Sequence, residues 1–404
     1  MGDQLRIAIF TNTFIPDVNG VANAVNTFRQ ELLRRGHAVY VFAPAPKHEG
    51  VGGDDPLVFR FPSVQIFDLD YQAAFPFSMT AQRALRGVNF DLVHTHHPLW
   101  VGEWGRMFAK SHKLPLITTV HTHYELFAQF VPLPPKLVKE YLRRKTRRYC
   151  QKCDLVTTPG ASTARRLQRL GVTKPLMVLP NGVDLSRLET ATGQVVRDMY
   201  GLGDKFIMGY LGRLSPEKQV DVVIKAAARV FAKEPNSHLL IVGDGYSRSE
   251  LEAQVTEMGL KSKVTFAGSV AYSRVHEYHA AFDVLLSASR GDTMPLAYAE
   301  TMAAGTPVIA AMGFGALDMI VDGLNGYLIS RTYAETQLAD RVMTLLENPG
   351  LLKEMAQNAR EWSRQYRVDV ATDRLLQCYD LGMRVARGEE VELEPPVKWP
   401  GVGR

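Results

Sequence analysis

The sequence predicts an α/β protein with two doubly wound, parallel-sheet domains that face each other across a cleft. Its 404 residues exceed what one hydrophobic core usually holds, which favours two domains. A pattern of short apolar strands alternating with helices also occurs twice, and that alternation is typical of parallel βαβ units. We therefore expect one domain over residues 1–182 and a second over residues 183–369.

The first series begins with an apolar strand over residues 5–10, followed by a loop. A helix is predicted over about 21–35, where apolar residues recur at helical spacing, and a second strand over 38–43. At the other end of the chain, residues 388–404 are rich in Glu and Pro, so we expect a loosely held tail there.

The second series repeats this plan. It has a strand over residues 206–211, a helix over about 216–233 and a strand over 238–242. A further short strand over 281–286 leads to a helix that should begin near Pro295. In such sheets ligands bind beyond the carboxyl ends of the strands, so the loops at those ends are the expected site.

The composition is that of a globular enzyme, with 46% hydrophobic and 22% charged residues. No run of about 18 apolar residues occurs, and the first residues lack the regions of a signal peptide, so we expect a cytoplasmic protein. Cys150 and Cys153 have metal-like spacing, but no second pair accompanies them and Cys378 is distant. We interpret the three cysteines as incidental thiols in a reducing compartment.

Residues 136–152 form a basic segment with eight Lys and Arg against one acid, and it follows an apolar loop over 126–134. A helix of this kind can lie on an anionic membrane surface, whereas the alternative is a solvated basic helix face. Nucleic acid is not expected as a partner because no binding motif accompanies the charge. The residues predicted to meet the membrane are Phe127, Phe130, Lys139, Arg143, Arg144, Arg147 and Arg148.

The loop after the first strand argues against two classes of nucleotide enzyme. It contains no G-x-G-x-x-G, and the second strand ends without the acid that would bind a ribose, so a nicotinamide cofactor is not expected. No G-x-x-x-x-G-K-[ST] occurs either, which excludes a P-loop NTPase. No cofactor is expected.

The loop after the strand at 206–211 predicts a pyrophosphate site. Ser215 suits a helix N-cap and Pro216 a first helical position, so Lys218 would lie in the first turn. Together with Arg213 it would make that terminus doubly cationic, which favours a bound anion. The alternative is that Glu217 or another nearby acid neutralises Lys218.

The stretch over residues 287–305 predicts the second half of the same site. Asp292 would flank the mouth, and Glu300 would lie about a turn and a half into the helix. Carboxylates there suit the hydroxyls of a sugar and a ribose, while an ordinary surface helix is the alternative. The residues expected to bring the helix terminus to the ligand are Thr293, Met294, Pro295 and Leu296.

These motifs resemble the retaining glycosyltransferases of family four, whose GT-B fold has two Rossmann-like domains. The resemblance spans nearly the whole chain and rests on residues 180–184 (PNGVD), 212–218 (GRLSPEK), 242–245 (VGDG), 266–270 (FAGSV) and 300–309 (ETMAAGTPVI). It implies that Arg213 and Lys218 hold the donor diphosphate, that Glu300 holds the ribose, and that the backbone at 266–270 receives the base. It also implies a final helix, within about 370–387, that packs back on the N-terminal domain.

The resemblance assigns further donor contacts to four glycines: Gly20, Gly212, Gly243 and Gly268. It places His121 against the donor sugar. On the acceptor side it implies roles for Asn19, Val21 and His96, with structural histidines as the alternative, especially at His94 and His123. A zinc site is not expected, since no Cys or acid has the required spacing.

Two positions depart from the family pattern. Asp292 stands where the family usually has Glu, and its shorter side chain leaves the contact to the donor sugar open. Gln219 replaces a frequent Gly.

The chemistry implied by the resemblance is metal-independent transfer with retention, in which Arg213, Lys218 and Asp292 act together with His121. The sequence Asp68-Leu69-Asp70 matches the D-x-D of metal-dependent transferases, but their fold would leave the second βαβ series unexplained. The donor is expected to be UDP-glucose or GDP-mannose.

The basic segment and the apolar loop before it resemble the diacylglycerol glucosyltransferase and lipid mannosyltransferase branch. We therefore expect a lipid acceptor at the cytoplasmic membrane face. A soluble acceptor such as a sugar phosphate, a cyclitol or a saccharide is the alternative, and a non-catalytic sugar-nucleotide-binding protein is another.

Overall fold

The computed structural model describes residues 4–17, 19–46, 55–65, 72–131 and 133–391. Contacts divide the chain into two compact units. The first comprises the described residues of Met1–Gly182 and Val368–Lys398, and the second comprises Val183–Arg367.

The first unit contains a seven-stranded parallel sheet and a short antiparallel strand pair. Its strands are β1 (Arg6–Phe10), β2 (Ala38–Pro44), β3 (Val58–Phe61), β4 (Ser63–Gln65), β5 (Gln72–Ala74), β6 (Leu92–Thr95), β7 (Leu116–Thr119), β8 (Leu155–Thr158) and β9 (Leu176–Val178). The large sheet has the order β3-β2-β1-β6-β7-β8-β9, and β4 pairs with β5. The strand order reverses between β1 and β6, which is where doubly wound sheets bind ligands.

Helices connect these strands. They are α1 (Gly20–Arg34), α2 (Met79–Gly87), α3 (Val101–His112), α4 (Pro135–Cys150) and α5 (Ala161–Arg169). A 3₁₀ segment over Tyr124–Phe130 precedes α4.

The second unit has a six-stranded parallel sheet. Its strands are β10 (Phe206–Leu211), β11 (Ser237–Val242), β12 (Val264–Gly268), β13 (Val284–Ser287), β14 (Val308–Ala311) and β15 (Gly326–Ile329). The order is β12-β11-β10-β13-β14-β15, so its reversal lies between β10 and β13. Its helices are α6 (Ser186–Glu189), α7 (Gln194–Met199), α8 (Val220–Phe231), α9 (Arg248–Glu257), α10 (Val275–Ala281), α11 (Leu296–Ala303), α12 (Phe314–Met319), α13 (Ala334–Glu347) and α14 (Pro349–Ser363).

Both faces of each sheet are covered, which explains why the strands are almost continuously apolar. In β10, Ile207 belongs to the hydrophobic cluster on one face, while Met208 and Tyr210 belong to the cluster on the other. The predicted strand over 281–286 is shifted in the structure. Ala281 ends α10 and the strand starts at Val284, because an apolar run alone does not separate a helix end from a strand.

The last helix, α15 (Val368–Ala386), packs on the first unit, as the resemblance implied. Ala371, Leu375 and Tyr379 are buried in the same cluster as Ile7 of β1. The helix comes so close to the sheet that a Cβ on Gly382 would lie 2.7 Å from the Ile117 side chain. The predicted two-domain fold is thus confirmed. No helix in the described ranges is long and apolar enough to cross a membrane.

Candidate active site

Loops at the carboxyl end of the second sheet are joined by backbone hydrogen bonds. The Gly212 amide donates to the Val242 carbonyl at 3.0 Å, and the Gly243 amide donates to the Gly268 carbonyl at 2.8 Å. Gly243 has a φ of +126°, and a Cβ there would lie 1.9 Å from the Gly212 oxygen. The loops after β10, β11 and β12 therefore form one layer, and the fold itself requires Gly243.

The helix predicted from Pro216 begins later than expected. Residues Pro216–Lys218 form a 3₁₀ turn, Gln219 adopts the left-handed conformation with a φ of +51°, and α8 starts at Val220. Ser215 does not cap a helix through its side chain, since its Oγ donates to Glu217 Oε1 at 2.5 Å. The left-handed residue explains why glycine is frequent at this position, because only glycine adopts that conformation without a steric cost.

Lys218 forms an ion pair with Asp292, with Nζ 2.5 Å from Oδ1 and both side chains half-buried. The acid that pairs with Lys218 is therefore Asp292, 74 residues away, and not the adjacent Glu217. Burial opposes the charge on Asp292, but Lys218 outweighs it with help from Arg213, so the pKa of Asp292 is lowered. Arg213 is exposed.

The segment after β13 is tied to the turn after β10. The Arg290 amide donates to the Glu217 carbonyl at 3.0 Å, and Arg290 Nε donates to Gln219 Oε1 at 2.7 Å. Because β10 and β13 are the neighbours at which the strand order reverses, Arg213, Lys218 and Asp292 lie at the expected ligand position of this sheet.

Glu300 lies on α11, which starts at Leu296, one residue after the predicted Pro295. Its carboxylate is half-buried, and Oε2 lies 3.3 Å from Nε2 of the buried His279. His279 Nδ1 is hydrogen bonded to Thr301 Oγ1 at 2.7 Å, which orients the ring. His279 was not predicted, because it lies on α10 and no local pattern links it to Glu300. Thr293, Met294, Pro295 and Leu296 connect Asp292 to the first turn of α11.

In the first unit, Asn19 caps α1. Its Oδ1 accepts from the amides of Val21 at 3.1 Å and Ala22 at 2.9 Å, so this predicted acceptor residue has a structural task. Val21 is half-buried against the core. Gly20 is exposed, and a Cβ added to it would meet no atom within 4 Å. The fold therefore does not itself require glycine at position 20.

Histidines gather at the carboxyl ends of β6 and β7, all of them buried. His96 Nδ1 and His121 Nε2 are hydrogen bonded at 2.9 Å, so two residues predicted for different sides of the site form one pair. His94 Nδ1 is bonded to Tyr379 on α15 at 2.9 Å, and its Nε2 to Thr119 at 2.7 Å. This contact gives His94 the structural role that was the alternative.

Two other histidines also hold the loops. His123 Nε2 lies 3.2 Å from Thr163 Oγ1, and His97 Nδ1 accepts from the Asn12 amide at 3.1 Å. Sequence reasoning missed His97 as a support of the loop after β1. Its only signal was its position next to His96.

The buried imidazoles are neutral at physiological pH. Burial lowers the pKa of His94, His97 and His121 to about 3, and it lowers the pKa of His96 well below the ordinary value, with a contribution from His94. His96 is 3% exposed, and its Nε2 contacts no polar partner among the residues described. Within the described residues, the His96–His121 pair thus has one buried nitrogen, His96 Nε2, without a hydrogen-bond partner.

The histidine cluster predicts a loss of stability in mild acid. Folded His94 and His121 have a pKa of about 3 against 6.5 for the free group, so the unfolded chain binds more protons between these values. The free energy of unfolding should fall as the pH drops through this window, by at most about 1.4 kcal/mol per pH unit for each imidazole. Thermal melts at neutral pH and near pH 5 measure the slope. His94→Gln should flatten it and the exposed His112→Gln should not; equal slopes in all three proteins would contradict the assignment.

The basic segment forms α4, and three of its four predicted arginines, Arg144, Arg147 and Arg148, are exposed at positions that share one helix face, whereas Arg143 is half-buried. Arg147 Nε donates to the Gly171 carbonyl at 3.2 Å, and Arg144 Nε donates to Glu140 Oε1 at 2.6 Å. Lys139 is exposed. The side chains of Phe127 and Phe130 lie outside the described part of the chain, as do residues 68–70 with the D-x-D sequence and the end of the predicted tail from residue 392 onward.

Within the described ranges, no three His, Cys, Asp or Glu side chains lie close enough together to bind a metal ion.

Comparisons with known proteins agree with the two-unit architecture. A family model described as Glycosyl transferases group 1 matches residues 197–362, and one described as Glycosyltransferase Family 4 matches residues 18–187. The chain is 31% identical to the alpha-monoglucosyldiacylglycerol synthase of Streptococcus pneumoniae over 85% of its length and 78% of that protein. It is 29% identical to a GDP-mannose-dependent alpha-mannosyltransferase of Mycobacterium tuberculosis, over 85% and 88%.

Solved structures show the same fold. A sucrose-phosphate synthase from Thermosynechococcus elongatus superposes with a TM-score of 0.77 at 20% identity, over 94% of this chain and 98% of that one.

Proposed function

Because this chain belongs to the glycosyltransferases of family four, we propose that it transfers a hexose from a nucleoside diphosphate sugar to a lipid acceptor, with retention and without a metal ion. The observation that carries the proposal is the half-buried Lys218–Asp292 pair beside the exposed Arg213, at the strand-order reversal of the second sheet. Two cations and one carboxylate there match a diphosphate that carries a sugar.

The diphosphate competes with Asp292 for Lys218. When the donor binds, Lys218 and Arg213 contact the phosphates, and the carboxylate of Asp292 becomes available to a sugar hydroxyl. Glu300, whose Oε2 lies 3.3 Å from His279 Nε2, accepts from the ribose hydroxyls. The backbone lies against the donor at Gly212, Gly243 and Gly268. The start of α11 is brought to the phosphates by the segment Thr293, Met294, Pro295 and Leu296.

Transfer then occurs on one face of the sugar. The bond between the anomeric carbon and the phosphate oxygen breaks, the acceptor oxygen bonds to that carbon, and the acceptor proton passes to the leaving phosphate. Lys218 and Arg213 stabilise the charge that grows on the diphosphate. Neutral His121 and His96 bind hydroxyls of the sugar and the acceptor, because an uncharged imidazole pair can both donate and accept.

The lipid acceptor is supported by the similarity to an alpha-monoglucosyldiacylglycerol synthase and by the exposed cations of α4. We place the protein at the cytoplasmic face of a membrane, bound peripherally. The donor is UDP-glucose or GDP-mannose: the name of one relative describes a glucosylated product, and the name of the other describes dependence on GDP-mannose.

Donor and acceptor are tested in two steps. Thermal shift against UDP, GDP and ADP should select one nucleotide, because a ligand that binds only the folded state raises the melting temperature. Transfer from the matching radiolabelled sugar nucleotide is then compared between diacylglycerol in vesicles and soluble sugar phosphates. Product on the soluble acceptor alone would replace the lipid assignment, and nucleotide binding without transfer or hydrolysis would point to a non-catalytic protein.

Chelation gives a separate prediction. Activity should survive an excess of EDTA, because two cationic side chains and a helix terminus neutralise the leaving diphosphate in place of an ion. The rate is measured before and after chelation and after adding Mn²⁺ or Mg²⁺. Loss of activity on chelation with recovery on metal addition would overturn the metal-free mechanism.

A further inference from the structure

An apolar groove of about 540 Å³ lies in the first unit, against α4. Its volume is within the range of about 300–1,000 Å³ that is usual for small-ligand sites. Leu99 and Trp100 line it from the loop before α3, Leu133 from the segment before α4, and Leu137 and Tyr141 from α4 itself. Lys145 is its charged member, and Glu103 of α3 pairs with that lysine.

The groove continues into an exposed apolar surface. Leu133 is 62% exposed, Leu137 69% and Tyr141 61%, which is unusual for neighbouring large apolar side chains. Trp100, which has a φ of +42°, is held in a conformation that non-glycine residues rarely adopt. A cluster of this kind, open to solvent, marks a surface that meets an apolar partner.

Charge is arranged along the same helix face. Leu137 and Tyr141 lie four positions apart, and Arg144 and Arg148 follow at the next turns of the same stripe, where Arg144 pairs with Glu140 at 2.6 Å. The stripe from Leu137 to Arg148 thus begins with two apolar side chains and ends with two cations, and Lys136, Lys139 and Glu140 are exposed beside its apolar part. A phospholipid has the complementary arrangement, with an apolar acyl chain that joins an anionic phosphate.

We propose that this groove binds one acyl chain of an anionic phospholipid, whose phosphate contacts Arg144 and Arg148. The site holds the first unit at the membrane surface. The inference rests on the proposed function only for the reason why this protein would bind a membrane. Binding of the phospholipid itself requires neither the sugar donor nor the acceptor.

The test uses Trp100 as the reporter. The full chain is mixed with vesicles of equimolar phosphatidylcholine and phosphatidylglycerol whose acyl chains carry bromine, which quenches tryptophan at contact distance. Wild-type fluorescence should be quenched, and Trp100→Phe should lose most of that quenching while still sedimenting with the vesicles. Equal quenching in the two proteins would overturn the proposal, and so would sedimentation of wild type without quenching.

A second pair of variants tests the groove without depending on Trp100. Leu137→Gln should weaken vesicle affinity about tenfold, the loss expected when one buried leucine is removed from a lipid contact. Met107→Gln on α3 is the matched control, because Met107 is also an exposed apolar residue of the first unit, at 58%, and does not line the groove. An unchanged affinity of Leu137→Gln, or a self-association of wild type that this variant abolishes, would overturn the proposal. Failure of sugar transfer to lipid would leave the quenching result unaffected, so the two proposals fail separately.

Discussion

Replacing Lys218 by Ala should lower kcat/KM by about 10²–10³, because one charge-assisted bond to the leaving diphosphate is lost when its charge is largest. Arg213→Ala should have a similar effect. The rate is measured at saturating and subsaturating donor. Lys225→Ala is the matched control, since Lys225 forms a half-exposed ion pair with Asp221 at 3.6 Å in the same unit and should keep the wild-type rate.

The contact between Lys218 and Asp292 allows a sharper test. If Lys218 served only to neutralise Asp292, the double variant Lys218→Ala with Asp292→Asn would have the same rate as Asp292→Asn alone. If Lys218 binds the diphosphate, the double variant is slower than Asp292→Asn alone. Equal rates in the double variant and Asp292→Asn, or a near-wild-type rate in Arg213→Ala, would remove the donor assignment.

The strands could be predicted well because a strand that is buried on both faces of its sheet appears in the sequence as a continuous run of apolar residues. The expected strand over residues 206–211 has the same bounds in the structure, as Phe206–Leu211. Its residues alternate between two apolar clusters, so a continuous apolar run is enough to identify it.

The turn after that strand could not be predicted from local signals. Ser215 and Pro216 have the residue types of a helix start, yet the helix begins at Val220. The loop is bonded to its neighbours, through the Leu214 amide to the Asp244 carbonyl at 2.9 Å and through Glu217 to Arg290. These contacts come from residues distant in sequence, and they outweigh local capping preference.

The sequence predicted which residues belong to the site, but not which of them contact each other. Lys218, Asp292, Glu300, His96 and His121 were all named, but the pairing of Lys218 with Asp292 spans 74 residues and depends on which strands are adjacent. The same holds for His96 and His121, on loops that follow the neighbouring strands β6 and β7. Residue chemistry is visible in a sequence, whereas such distances depend on strand order and register.

Gly20→Ala should leave the protein as stable as wild type and yet slow transfer by about 10²-fold. The added methyl meets no atom of the protein within 4 Å, and α1 begins at this residue, where alanine is at least as favourable as glycine. The resemblance places the donor phosphate against this backbone, so the methyl would displace the donor, and a misplacement of about 1 Å can cost about 10²-fold in rate.

Gly87→Ala is the matched control, because Gly87 closes α2 in the same unit and a Cβ there also meets nothing within 4 Å. Melting temperature and kcat/KM are measured for both variants. Equal rates in Gly20→Ala and Gly87→Ala would show that the donor does not approach the start of α1, while a lower melting temperature in Gly20→Ala alone would mean that the loop itself needs the glycine.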